Sequence, residues 1–336
     1  MKQIAWMVAV AVLAGPAWAQ DILLVVDSSA RAAHAFSPTD GSLIQANYLS
    51  WDTLGTGSST GKHALQVGNE IWVSDQLRDL IYRFNLDGTH IANIGPAGLD
   101  NIKGMEVVGN QVWVTNAGTA NGAPGNSIVF IDIASASIVG SAPTVGSLFD
   151  LFVLDGEVLG TNITNHRIER YSLSGALLGT FASGAIRFPQ QIHRRAGGNF
   201  LVAGFSTPSG IYEYTPAGVE LGVVAGSGGG CRAGYELGNG SILWTNGSGV
   251  WINTTLVRSG SGQYVERISL GQPCPGTGSG ACSRADWNED GVVDFNDFLA
   301  FLNDYNSENP CADLNGDGVV DFNDFLEFLN LYNLGC

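Results

Sequence analysis

The chain has 336 residues, 45% of them apolar and only 14% charged, which provides for a packed core and excludes global disorder. A formal net charge of −16 leaves no basic stripe to neutralise phosphates, which excludes nucleic acid as a partner. The acidity is local: twelve of the 31 acidic residues lie between Asp286 and Glu327, with Arg284 as their only basic neighbour.

Residues 1–19 read as an export signal. Lys2 gives the positive start, Ile4 to Ala14 the apolar stretch, and Ala17-Trp18-Ala19 a small-residue cleavage site. The apolar run is too short to span a bilayer, and no later segment is long and apolar enough to do so. The expected mature chain begins near Gln20 or Asp21 and works outside the cytoplasm, secreted or at the cell surface.

From residue 20 to about residue 270 one pattern recurs, and 46 glycines in the chain mark its turns. Apolar strands ending in a small or polar residue align as Leu24-Val25-Val26-Asp27, Ile71-Trp72-Val73-Ser74-Asp75, Val112-Trp113-Val114-Thr115-Asn116 and Val158-Leu159-Gly160-Thr161-Asn162. Phe200-Leu201-Val202-Ala203-Gly204 and Ile242-Leu243-Trp244-Thr245-Asn246 complete the series. The last five start at 71, 112, 158, 200 and 242, a period of roughly 40 with about four short strands each. That is the period of propeller blades, none of which can bury both faces alone. The expectation is an all-β, six-bladed propeller. Its first blade lacks an obvious inner strand and must borrow one from elsewhere.

The stretches Ile71–Asp75 with Ile81–Gly88 and Val158–Asn162 with Arg167–Gly175 resemble the NHL and SMP-30/gluconolactonase-like propellers. That resemblance implies the fold. It also implies that residues facing the central channel can hold a divalent metal, although no such ligand set matches here residue by residue. Aligned inner strands place His63, Gly104 and Asp150 at one level, with Glu106 two places further on. His34, His63, His90, His166 and His193 are scattered and read as packing or surface residues. The recurrent Asp27, Asp75, Asn116, Asn162 and Asn246 read as caps of the turns between strands. No catalytic residue is identified.

Residues 271–283 form a Gly/Pro/Ser-rich linker. Beyond it, residues 284–336 carry two loops of calcium-binding spacing. Asp286, Asn288, Asp290, Asp294 and Asp297 fill the first, third, fifth, ninth and twelfth places of one, with Gly291 at the sixth and the Val292 carbonyl at the seventh. Asp313, Asn315, Asp317, Asp321 and Asp324 fill the same places of the second, with Gly318 and the Val319 carbonyl. Calcium takes six to eight hard oxygens, which these carboxylates, amides and carbonyls supply. Two calcium ions per chain are expected.

Each loop runs into a nearly identical helix, and Asn306 to Ala312 is too short to hold an entering helix. Loop plus exiting helix, given twice and ending in Gly335-Cys336, resembles the dockerin domain. The resemblance implies a cohesin-like or other surface partner. The matching recognition positions are Phe295, Asn296, Leu302 and Asn303, then Phe322, Asn323, Leu329 and Asn330, with apolar residues where dockerins of cellulose-degrading assemblies carry polar ones. Cys274, Cys282, Cys311 and Cys336 crowd into this end, and three pairings are open. Short local loops favour Cys274–Cys282 and Cys311–Cys336, with Cys231 left as a buried thiol.

Two functions follow as expectations. One is a propeller that binds an unknown ligand or protein and is anchored by its dockerin-like tail. The other is an anchored enzyme, a lactonase or a polysaccharide lyase or hydrolase. Three acidic or amide side chains gathered at one channel mouth would favour the second.

Overall fold

A computed structural model describes residues 21–226, 228–270, 274–276, 280–307, 309–315 and 320–336. The export signal and part of the linker lie outside the described residues, as do Asp317, Gly318 and Val319. Two compact units emerge, Asp21–Ser269 and a C-terminal unit from Leu270 to Cys336.

The larger unit is a six-bladed β-propeller of six four-stranded antiparallel sheets. Five blades are continuous meanders, spanning 61–94, 105–143, 148–183, 189–225 and 233–259. The first is composite. Ile22–Asp27, Ala32–Phe36 and Leu43–Ser50 give three strands, and the inner one is Gly262–Ile268, from the far end of the unit. It runs antiparallel to Ile22–Asp27, pairing Leu23 with Arg267 and Val25 with Val265. The missing inner strand is thus the last strand of the domain, and closing the ring removes the free edge that an open array would expose.

Alternation along the strands directs apolar side chains into the spaces between blades. Trp72, Ile102, Met105 and Val129 pack between the second and third, and Leu159, Ile192, Phe200 and Tyr212 between the fourth and fifth. Each fully buried side chain of this size contributes roughly 1.5–3 kcal/mol. Cys231 is a buried free thiol, as expected.

The capping residues behave as expected and also join blades. Asp75 accepts the N–H groups of Leu77 and Arg78 in its own turn and that of Thr60 in the preceding segment. Asp27 accepts those of Ser29, Ala30 and Ser261.

The C-terminal unit holds helices α1 (Phe295–Asn306) and α2 (Phe322–Leu334). Asp294 and Asp321 are their N-caps, and Asp297 and Asp324 complete a capping box at the third helical position. Phe301 and Phe328 stack with centroids 4.0 Å apart and are fully buried together with Ala285 and Ala312. The disulfides are Cys274–Cys311 and Cys282–Cys336, not the local pairs expected from loop length. Packing the two helices face to face brings each cysteine beside the other half of the unit, so the bridges staple one half to the other. With separations of 37 and 54 residues, each closes a loop worth about 4 kcal/mol on a chain-entropy model.

Candidate functional sites in the channel and the helical unit

The six inner strands converge on the propeller axis. A level near the middle of these strands carries His63, Gly104, Asp150, Gln191 and Tyr264. Gly104 has no alternative, because a Cβ there would collide with the Asp150 carboxylate and the Phe149 carbonyl. His63 Nδ1 accepts the Met105 N–H at 3.1 Å, which assigns the ring proton to Nε2, 3.1 Å from Glu266 Oε2. Asp150 Oδ2 accepts the Ile192 N–H at 3.1 Å. Its Oδ1 has no hydrogen-bond partner and lies 3.9 Å from His63 Nδ1, in a side chain that is 2% exposed.

Charge is crowded here. Burial pushes the Asp150 carboxyl up to about 7, against the pull of His63 and the Ile192 N–H and with a further push from Glu266. Burial, then the charges of Glu266 and Asp150, holds Glu106 well above the ordinary carboxylate range. Burial opposes protonation of His63, but Glu266 and Asp150 outweigh it and its pKa is raised. His193 donates to the Val265 carbonyl at 2.8 Å, and burial lowers its pKa. One residue further along the same strands, a cleft of about 670 Å³ opens among Arg194, Arg195, Tyr235, Glu236 and Arg267. Three carboxyl groups and a histidine thus gather in the channel. A carboxyl that keeps its proton near neutrality can act as a general acid, and a neighbouring carboxylate as a base.

In the C-terminal unit, Asp286, Asp297 and Asp324 are fully buried. Asp286 accepts the N–H groups of Cys282, Asp290 and Gly291 at 2.9–3.1 Å. Asp297 accepts those of Asn288 and Asp294, and Asp324 repeats the pattern with Leu314, Asn315 and Asp321. Asp290 turns onto the Val292 N–H and the Asn288 amide. Arg284 is engaged by the Pro275 and Cys311 carbonyls and the face of Trp287, leaving those three buried carboxylates without an ion pair among the described residues. The same residues contain one group of three metal-type side chains with ligand atoms within 4.8 Å, Cys282, Asp286 and Cys336, and its two sulfurs form a disulfide. The donors of the first loop are oxygen-only and Gly291 takes a left-handed turn (φ +87°), but no three of Asp286, Asp290, Asp294 and Asp297 bring carboxylate oxygens within 4.8 Å of one another. The centre of the second loop lies outside the described residues.

The helices repeat each other in exposure. Residues 295–306 and 322–333 match in burial class at all twelve positions. Phe295 and Phe322 are 63% and 62% exposed, Asn296, Asn303, Asn323 and Asn330 are exposed, and Leu302 and Leu329 are half-buried. Leu299 and Leu326 are exposed too and lie one turn beyond Phe295 and Phe322.

The larger unit is thus a six-bladed β-propeller by fold. No family model and no curated protein matches the chain. Among solved structures it is similar to a chain in a nidogen–laminin complex, with a TM-score of 0.60, 12% identity, and coverage of 75% of this chain and 100% of that one. A protein of unknown function from Bacteroides caccae gives 0.49 at 15%, covering 74% and 99%. Virginiamycin B lyase from Staphylococcus aureus gives 0.44 at 15%, covering 63% and 71%. At these identities the likeness shows the fold alone.

Alignment of the inner strands in sequence brings His63, Gly104, Asp150 and Glu106 together correctly, but His63 and His193 are not the isolated residues expected. Sequence alone does not reach Glu266, which lies on the borrowed strand. The signal is present in the β-favouring Tyr264, Val265 and Ile268, which read as a strand once ring closure is sought.

Proposed function

We propose that the chain is an exported propeller carried on a calcium-loaded, dockerin-like module that docks onto a cohesin-like partner. One observation carries this reading: three fully buried carboxylates without an ion pair among the described residues, in a small, disulfide-stapled unit. Buried charge of one sign needs a counter-charge, and the oxygen-rich loops accept a hard dication. Asp286, Asn288, Asp290, Asp294, Asp297 and the Val292 carbonyl hold the first ion. Asp313, Asn315, Asp317, Asp321, Asp324 and the Val319 carbonyl hold the second. The matched exposed pairs on α1 and α2 then form the docking face. Titration calorimetry with calcium tests the assignment. Two sites are expected, with one lost on Asp286→Ala/Asp290→Ala and the other on Asp313→Ala/Asp317→Ala; two ions retained in either variant would overturn it.

For the propeller itself, the gathering of Glu106, Asp150 and Glu266 around His63 favours an enzyme over a passive binding module. In this reading Glu106 serves as the acid and Glu266, which accepts the His63 Nε2–H, as the base of a lyase or hydrolase acting on a lactone or polysaccharide. Screening residues 21–270 against lactones and polysaccharides, with and without added divalent metal, tests it. Turnover abolished by Glu106→Gln and by Glu266→Gln is expected. Turnover unchanged by both substitutions, or none on any substrate, leaves the binding module.

A further inference from the structure

One residue before the level of His63 and Asp150, the inner strands and the residues leading into them contribute a second level: Lys62, Lys103, Phe149, Gln190, Arg232 and Gln263. Three of the six are cations, in a chain whose net charge is −16. Apart from Lys2, Lys62 and Lys103 are the only lysines in the sequence. Both are buried, at 7% and 1% exposure, and neither has a carboxylate within 4 Å among the described residues. Lys62 Nζ donates to Gln263 Oε1 at 3.0 Å and Lys103 Nζ to the Asn101 carbonyl at 2.7 Å, which leaves two N–H groups on each ammonium. Arg232 donates to Ser261 Oγ and the Gly262 carbonyl. Burial, then the charges of Arg232 and Lys103, lowers Lys62 to about 7. Burial lowers Lys103 to about 8 against the pull of Asp100, as expected for ammonium groups held away from water.

An aromatic wall connects these cations to solvent. The Phe149 ring lies 5.6 Å from Lys62 Nζ and 4.8 Å from Lys103 Nζ. It meets Phe188 edge to face at 5.2 Å, Phe188 meets Phe205 at 5.5 Å, and Arg232 lies 6.0 Å over Phe205. Exposure rises outwards along this wall, from 7% at Phe149 through the half-buried Phe188 to 37% at Phe205. Phe188 holds φ at +53°, a conformation costly for a bulky residue, and that strain keeps its ring between the other two.

We propose that this mouth binds a small organic acid with a flat aromatic body. Its acid group meets Lys62, Lys103 and Arg232, and its ring lies along Phe149, Phe188 and Phe205. Glu106 and Glu266 lie three residues further along the same strands, roughly 10 Å away, while His63 and Asp150 directly follow Lys62 and Phe149. Three cations, two of them buried, supply the counter-charge for one carboxylate, and aromatic rings select a planar body over an aliphatic one.

Calorimetry and thermal melting of the full chain with benzoate test this, with acetate and benzamide as the ringless and uncharged probes. Benzoate is expected to bind and to raise the melting temperature, with acetate and benzamide at least tenfold weaker. Lys62→Gln/Lys103→Gln should abolish the benzoate effect. Phe205→Ala and Arg232→Gln, at more exposed positions, should weaken it while the unliganded fold is kept, which covers the case in which the lysine variant does not fold. No benzoate binding at millimolar concentration, equal binding of benzamide, or binding unchanged in the Phe205 and Arg232 variants would overturn the proposal.

Discussion

The propeller and the C-terminal unit handle buried charge in opposite ways, and the contrast shows what each needs in order to fold. The propeller encloses a few ionisable groups within a large apolar ring and shifts their protonation until the burial is tolerable, as at Asp150, Glu106 and Lys62. The C-terminal unit has a core of a few aromatic rings, two disulfides and fully buried carboxylates beside backbone N–H groups. One unit draws its stability from packing and closure, the other from cross-links and, in the reading proposed above, a bound cation.

The largest effect expected is on closure. Two truncated proteins, 21–260 and 21–270, differ by little more than the strand Gly262–Ile268. Without it, Ile22–Asp27 loses its inner partner and the ring gains a free edge. The longer protein should melt in one cooperative transition and the shorter should show none; two similar melting curves would show that closure does not hold the ring.

Chelation should come next. EDTA is expected to render the C-terminal unit protease-sensitive while a fragment of propeller size survives, since carboxylates of the closed loops repel one another without a dication. Reduction of Cys274–Cys311 and Cys282–Cys336 should deepen the effect. A tail equally resistant with and without calcium breaks the comparison.

A smaller effect separates the two units by sign. The folded-state pKa of Asp150 is raised to about 7 from 3.8, so the folded propeller holds that proton more tightly than the unfolded chain. The contribution of Asp150 is full below about pH 4 and is lost as pH rises towards 7. Glu106 and His63 are raised as well and act in the same direction. His193, Asp27, Glu70, Glu169 and Glu236, all with lowered pKa values, act in the opposite sense. Lys62, lowered to about 7, does so only above pH 7. Asp150→Asn keeps an acceptor for the Ile192 N–H and should flatten the fall in melting temperature between pH 4 and 7. The calcium-loaded unit should show the reverse trend and weaken as pH falls, because its ligands must be ionised. A pH trend in that range left unchanged by Asp150→Asn would contradict the burial argument.

The repeat of the anchor strands carries the blades and the capping role of Asp75 and Asn116, because both are local consequences of strand and turn chemistry. The carrier of ring closure is not legible, since Gly262–Ile268 pairs with Ile22–Asp27 across nearly the whole propeller sequence and no local pattern fixes such a partner. The disulfide pairing fails for a related reason. Loop length favours neighbours, whereas the packing of Phe301 on Phe328 sets which cysteines meet. Half of the acidic cluster is legible, because His63, Asp150 and Glu106 lie on strands that align by register, but Glu266 enters with the closing strand. The cationic mouth escapes altogether: Lys62 and Lys103 belong to successive blades, and only the ring sets both beside one phenylalanine.

The subtlest effect expected is at the docking face, where the comparison turns inward to the two halves of the C-terminal unit. Positions 295–306 and 322–333 share one exposure pattern, and both helices begin on the same capping box. A partner that reads Phe295, Asn296, Leu302 and Asn303 therefore finds nearly the same arrangement at Phe322, Asn323, Leu329 and Asn330. Rotation about the pseudo-two-fold axis through the stacked Phe301 and Phe328 would exchange them. Core changes at those two phenylalanines cannot test this, since both are fully buried and their loss would cost about 3–5 kcal/mol in a small core. Asn303 and Asn330 are exposed, and arginine there adds bulk and charge to the face without entering the core. With calcium binding checked by calorimetry, Asn303→Arg and Asn330→Arg should each leave affinity for a cohesin-like domain within about twofold, because the intact half still docks. The double variant should lose binding by a hundredfold or more. Equal loss in one single variant and in the double would mean that only that half docks, and the symmetry would then be a property of the fold and not of recognition.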